Sequence, residues 1–226
     1  MRIVVLAVVL LAVAGCSQSV DGRTQLTATR PAPSAVTAMP PSKTTLTSTV
    51  PSTPPPADAP MSAVTAWVAA GHPADAAGFH TATRDGVSSQ LGDDIAFVTA
   101  SGTTKCMTDA KSGGALACLV NLSDPPAPPG SIYGQWIGGW VDFDGTTLRV
   151  GSAHADPGRF ALGTGSPLEN GSSLRFGDYH CRAEASGLLC VNYAHQSGVR
   201  MSDSGTEPFG CLRPVRDPDV GLKFSC

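Results

Sequence analysis

The chain has 226 residues, with 15 Lys and Arg against 18 Asp and Glu, 25 Gly, 19 Pro and 7 Cys. From residue 58 onward the balance is 11 basic against 17 acidic side chains, a net −6 without a basic cluster. That excludes nucleic acid as a partner and excludes electrostatic docking on anionic lipid.

In chain order, Arg2 precedes an apolar run at 3–13, too short to span a bilayer and of the length of a signal-peptide core. It ends in Val13-Ala14-Gly15-Cys16, which resembles the bacterial lipobox, in which the chain is cut before an acylated cysteine. The alternative is an ordinary secretory site with an incidental cysteine. The expectation is a signal peptide over 1–15 and palmitate-type acyl chains on Cys16. The protein is then a lipoprotein held on the outer face of the bacterial plasma membrane, since two or more acyl chains anchor stably. Residues 16–57 are rich in Thr, Ser, Pro and Ala and hold few large apolar side chains. Such a segment is expected to be a disordered tether with polyproline character, reaching at most ~120 Å at ~3.1 Å per residue.

A single extracytoplasmic domain is expected over 58–226. Asp58 and Pro60 read as a helix start, Val64, Trp67 and Val68 as its apolar face, and Gly71-His72-Pro73 as its stop. Strand-like runs follow at 94–99, 116–122, 135–143, 147–150, 174–181 and 188–193, separated by Gly, Asp and Pro turns. The prolines at 125–129 read as a rigid, exposed connection between two halves. This predicts a mainly β domain, an antiparallel sandwich or barrel with one short N-terminal helix.

Without Cys16, six cysteines remain: Cys106, Cys118, Cys181, Cys190, Cys211 and Cys226. An even number beyond a signal peptide reads as a disulfide framework, for which six cysteines allow 15 pairings. In Cys181-Arg182-Ala183-Glu184-Ala185-Ser186-Gly187-Leu188-Leu189-Cys190, two strands flank a Glu184–Gly187 loop, and if Ala183 faces Leu188 then Cys181 faces Cys190. Residues 105–118 repeat this pattern of Cys, an acid before Ala, Ser-Gly and Leu-x-Cys. Two stapled hairpins favour the sequential set, Cys106–Cys118, Cys181–Cys190 and Cys211–Cys226. No Cys-x-x-Cys is present, so neither a metal nor a cofactor is expected.

The aromatic stretch offers a first binding surface. On an unbroken strand Trp136 and Trp140 share one face with Gly134 and Gly138, either as a platform for sugar rings or as core, and a bulge at Gly138-Gly139 would change that phasing. Asp142-Phe143-Asp144-Gly145 reads first as a hairpin turn, since a calcium loop needs further oxygen ligands. For catalysis, His154 with Asp156 is the nearest approach to a base and its orienting carboxylate, and the alternative to binding is an envelope hydrolase built on that pair. His72, His80, His180 and His195 carry no motif.

The cysteine pairs, Ser166 through Cys181, and Ser186-Gly187-Leu188-Leu189-Cys190-Val191-Asn192 together resemble a module of actinobacterial envelope proteins, chiefly mycobacterial lipoproteins of unassigned function. The likeness covers about residues 94–201. The chain departs from the simpler module in adding Cys211 and Cys226, and in placing 11 residues between the first cysteine pair against 8 in the second. The resemblance implies the envelope and a β fold, and brings no catalytic residue. The expected role is a non-catalytic binding module for a cell-wall glycan, lipid or envelope protein, using Tyr133, Trp136, Trp140, Asp178 and Asn192. A structural spacer between membrane and wall is a further alternative.

Overall fold

The computed structural model describes residues 53–130, 132–154 and 157–226. The expected signal peptide, Cys16 and most of the tether lie outside the described residues, as does Asp156. Pro55, ahead of the expected domain start at 58, is already buried, and its carbonyl accepts a hydrogen bond from Arg200 at 2.8 Å.

The helix, α1 (Met61–Ala69), buries Val64, Trp67 and Val68 as their spacing predicts. Pro60, not Asp58, occupies the N-cap, and its carbonyl accepts from the amides of Ala63 and Val64. Beyond it come β1 (His72–Pro73), β2 (Thr81–Arg84), β3 (Val87–Gln90), β4 (Ala96–Thr99), β5 (Thr104–Asp109), β6 (Ala115–Val120), β7 (Gln135–Phe143) and β8 (Thr147–His154). The second half holds β9 (Ser166–Leu168), β10 (Ser172–Phe176), β11 (Tyr179–Glu184), β12 (Gly187–Asn192), β13 (Ser197–Ser202), β14 (Gly205–Gly210), β15 (Arg213–Val215) and β16 (Leu222–Ser225). The fold is mainly β, as expected. The run at 174–181 is not one strand: Gly177, with φ 49°, and Asp178 turn the chain between β10 and β11.

Two antiparallel meanders of five strands each form the scaffold, β4 to β8 and β10 to β14. Each meander gains a parallel neighbour from ahead of the other. β1 lies parallel beside β10, and β9 lies parallel beside β4. The resulting sheets run β1-β10-β11-β12-β13-β14 and β15-β16-β8-β7-β6-β5-β4-β9, while β2 and β3 form a separate hairpin. The prolines at 125–129 therefore link β6 to β7 inside one sheet, and residues 157–165 lie in the passage between meanders.

The sheets meet face to face over one core. Phe97, Val141, Phe143 and Leu148 of the first pack with Leu174, Leu188, Val199 and Met201 of the second. Each such side chain contributes about 1.5–3 kcal/mol on burial. The register places Cys106 opposite Cys118 and Cys181 opposite Cys190, with Ala183 opposite Leu188. All three disulfides follow the sequential set, and the first two are in the core. The second hairpin is tighter than read: Glu184 and Gly187 still pair, so the loop is Ala185-Ser186 alone.

On the outer face of the second sheet, α1 packs over Leu189, Val191 and Phe209. Arg182 fastens it there: its guanidinium donates to the Trp67 carbonyl at 2.7 Å, lies 4.1 Å from that indole's centre and pairs with Glu184. The outer face of the first sheet carries Ala96 and Met107, covered by Ala82 and Phe160.

Every edge strand of the two main sheets contains a proline: Pro73 in β1, Pro167 in β9, Pro208 in β14 and Pro214 in β15. Their interior strands contain none. Proline has no N–H to offer a further strand, so each edge lacks a donor.

Candidate binding cleft

At one end of the sandwich, turns from both sheets surround a cleft of about 330 Å³. The tip between β5 and β6 supplies Ala110, Gly113 and Gly114, and the β7–β8 turn supplies Asp144. From the second sheet come Asp178 of the β10–β11 turn, Tyr179, and Asn192 and His195 at the β12–β13 turn. Asp93 and Asp94 close the remaining side.

Each turn is held by its own polar side chain. The Asp144 carboxylate accepts from the Thr146 amide at 2.8 Å, the Thr146 hydroxyl at 2.8 Å and the Thr147 amide at 2.7 Å. That is an Asx turn, the hairpin reading of Asp142-Phe143-Asp144-Gly145. Among the described residues no three His, Cys, Asp or Glu side chains converge as a metal site. Gly145 has φ 96°, and a Cβ there would come within 2.7 Å of Asn192 and His195, so only glycine lets the two sheets close at this point. Ser197 donates its hydroxyl proton to the Gly145 carbonyl, a second tie between the sheets.

Asp94 joins neighbouring turns: one carboxylate oxygen accepts from the Thr108 hydroxyl at 2.9 Å and from the Ala110 amide at 2.7 Å. Tyr179 forms the floor. Its hydroxyl donates to the Phe143 carbonyl at 2.9 Å across the sandwich, and burial pushes its pKa up to about 12. Asn192, buried, accepts from the His195 amide at 3.1 Å through its side-chain oxygen. Asp93, Asp178 and His195 remain exposed at the rim. The cleft is thus rigid in its walls and acidic at its mouth.

The expected binding surface divides. Asp178 and Asn192 are in this cleft, whereas Tyr133 and Trp136 belong to the other end of β7, since the seven steps from Trp136 to Phe143 span ~23 Å, and Trp140 lies between them on the outer face. Tyr133 is 94% exposed just before β7. Trp136 is half-buried: its indole N–H donates to the Pro126 carbonyl at 3.0 Å, and its ring fills the space where Gly151 (φ 83°) has no side chain. Trp140 is 3% exposed, under the His154 imidazole at 3.6 Å and edge-on to Phe160 at 5.1 Å. A register shift between Ile137 and Val141 breaks the strand between the two indoles, so they meet different neighbours and do not form one platform.

His154, the candidate base, is engaged in that aromatic stack. His180 is buried next to Tyr193, its Nδ1 3.1 Å from the phenol oxygen, and burial followed by the charge of Arg175 pushes its pKa down. The residues that sequence reading did not place in a site, Asp94, Thr108, Tyr179 and His195, come from separate turns and strands, while Asp144 was read as part of a hairpin turn. The one signal for them was the repeated placement of Asp and Asn at strand ends.

Comparison with family models, with curated proteins and with solved structures finds no match to this chain.

Proposed function

We propose that this chain is a non-catalytic binding module, held on the outer face of the bacterial plasma membrane by acyl chains on Cys16 and recognising a cell-envelope component. The observation that carries the binding role is the cleft made by turns of both sheets, with fixed hydrogen-bonding walls and carboxylates at the mouth. Preorganised polar walls favour binding because few side chains must be ordered when the ligand arrives. The lipobox and the Thr- and Pro-rich tether support the location, as does the disulfide framework, which belongs to an oxidising compartment. The resemblance to actinobacterial lipoproteins points the same way.

Chemically, the cleft suits a ligand that presents hydroxyl or ammonium donors to Asp93 and Asp178, as an amino-sugar glycan or a peptide amine does. The test is titration of the full chain with soluble cell-wall glycan fragments and with phospholipid vesicles, followed by nuclear magnetic resonance. Saturable shifts at residues 108–114, 144–145 and 176–179 are expected, with affinity lowered about tenfold by Asp178→Ala and unchanged by Tyr133→Ala; tenfold is the loss of about 1.4 kcal/mol. Binding that survives Asp178→Ala and His195→Ala together overturns the assignment.

A further inference from the structure

The three disulfides differ in their surroundings. Cys106–Cys118 and Cys181–Cys190 are 1% exposed or less, between the sheets. Cys211 and Cys226 are exposed and joined outside that core. A disulfide opens by attack of a thiolate on one sulfur, so access decides which bridge a reductant reaches.

We propose that Cys211–Cys226 is a thiol–disulfide exchange site, at which an extracytoplasmic dithiol releases the C-terminal hairpin from the first sheet. The first thiolate of the reductant forms a mixed disulfide with one cysteine and expels the other as a thiolate. The reductant's second thiol then closes its own disulfide and frees the remaining cysteine. Two electrons and two protons pass from the dithiol to the protein pair, and the reductant leaves oxidised.

Opening is local because of what the bridge encloses. Cys211 follows β14 directly, Cys226 follows β16, and β15 and β16 lie between them. β16 pairs with β8 over four residues, and a two-stranded hairpin is marginal without further support. Leu212 is buried and Phe224 packs partly against the same core, while β15 is exposed throughout. Asp217 and Lys223 pair at 2.9 Å within the hairpin itself.

The consequence is a change of edge. In the oxidised fold each edge of the two main sheets carries a proline, but β8, now covered by β16, has none. Among the described residues, releasing β16 would uncover the only edge of either sheet able to offer an uninterrupted row of N–H and C=O groups to another strand.

The experiment treats the oxidised full chain with limiting dithiothreitol, alkylates it with N-ethylmaleimide and maps the peptides, with hydrogen exchange measured in parallel. Cys211 and Cys226 are expected to react at least about tenfold faster than the four cysteines of the other two disulfides. Exchange at Thr147–Val150, the part of β8 that pairs with β16, should rise while residues 179–192 stay protected. Reduction of all three disulfides together, or unchanged protection of Thr147–Val150, overturns the proposal. The Cys211→Ser/Cys226→Ser variant should show the same local opening without reductant; loss of protection throughout the chain overturns it as well.

Discussion

The two meanders share a plan and differ in what covers them. Each has five antiparallel strands, a cysteine pair joining its second and third strands, and a parallel first neighbour borrowed from the other half. The outer strand of the first meander, β8, is covered by β16, whereas that of the second, β14, is left as an edge interrupted by Pro208. The outer faces differ too. A helix clamped by a buried arginine covers the second, while the aromatic patch of Trp140 on the first lies under a short turn of 3-10 helix, 158–162. Duplicated cores thus tolerate unlike surfaces: the inward-facing side chains set the sandwich, and the covers are fitted separately.

The largest effect should separate the two covers. Arg182→Ala leaves the Trp67 carbonyl and Glu184 without their buried partner, and removing one member of such a pair costs about 3 kcal/mol. On the other sheet, Arg159 donates to the Ala115 carbonyl from a partly exposed position, so Arg159→Ala should cost about 1 kcal/mol. Urea unfolding of both variants checks the ratio, and equal losses would show that the helix is no more tightly held than the 3-10 turn.

Slightly smaller is the tie between the sheets. Tyr179 ionises at about 12 in the folded chain against 10.0 for the free phenol, because burial disfavours the phenolate. The stability this provides is fully present below pH 10 and is lost as pH rises toward 12, to a limit of about 2.7 kcal/mol at 1.36 kcal/mol per pH unit. Tyr179→Phe should cost about 1 kcal/mol at pH 7 through the lost bond to Phe143, and should flatten the stability profile between pH 10 and 12. Chemical denaturation across that range measures both. An unchanged alkaline slope in Tyr179→Phe would assign the loss to another group.

How much of this was legible follows from where the information sits. Cys181 to Cys190 encode their own register, because the alternation of Ala183 and Leu188 around a short turn leaves one pairing that buries both apolar faces. The Val64, Trp67 and Val68 face of α1 was equally local. Edge strands were not legible: His72-Pro73, Ser166-Pro167-Leu168 and Arg213-Pro214-Val215 are short and carry the residue that marks turns elsewhere, although here it marks edges. Nor was the cleft, whose residues from Asp93 to His195 meet only because the two sheets pack face to face. Trp140 was misleading for a related reason. Its exposure depends on the register shift in β7 and on Phe160, twenty residues away.

The smallest effect on stability should carry the sharpest consequence for association. Pro208 faces Val199 within β14, and among the described residues no strand lies beyond it, whereas β8 has β16. Pro208→Val supplies the absent N–H without removing a core side chain, so folding stability should change by less than about 0.5 kcal/mol. What changes is the edge: a continuous donor row on a six-stranded sheet invites pairing with the same edge of a second copy. Light scattering and sedimentation should show concentration-dependent self-association in Pro208→Val and none in the parent chain. Pro208→Lys, which supplies the same N–H together with a charge, should not associate, because a charge on the free edge must be desolvated if another strand is to dock. Association that persists in Pro208→Lys would locate the contact elsewhere, and would mean that proline in β14 serves the turn geometry of the hairpin instead of guarding its edge.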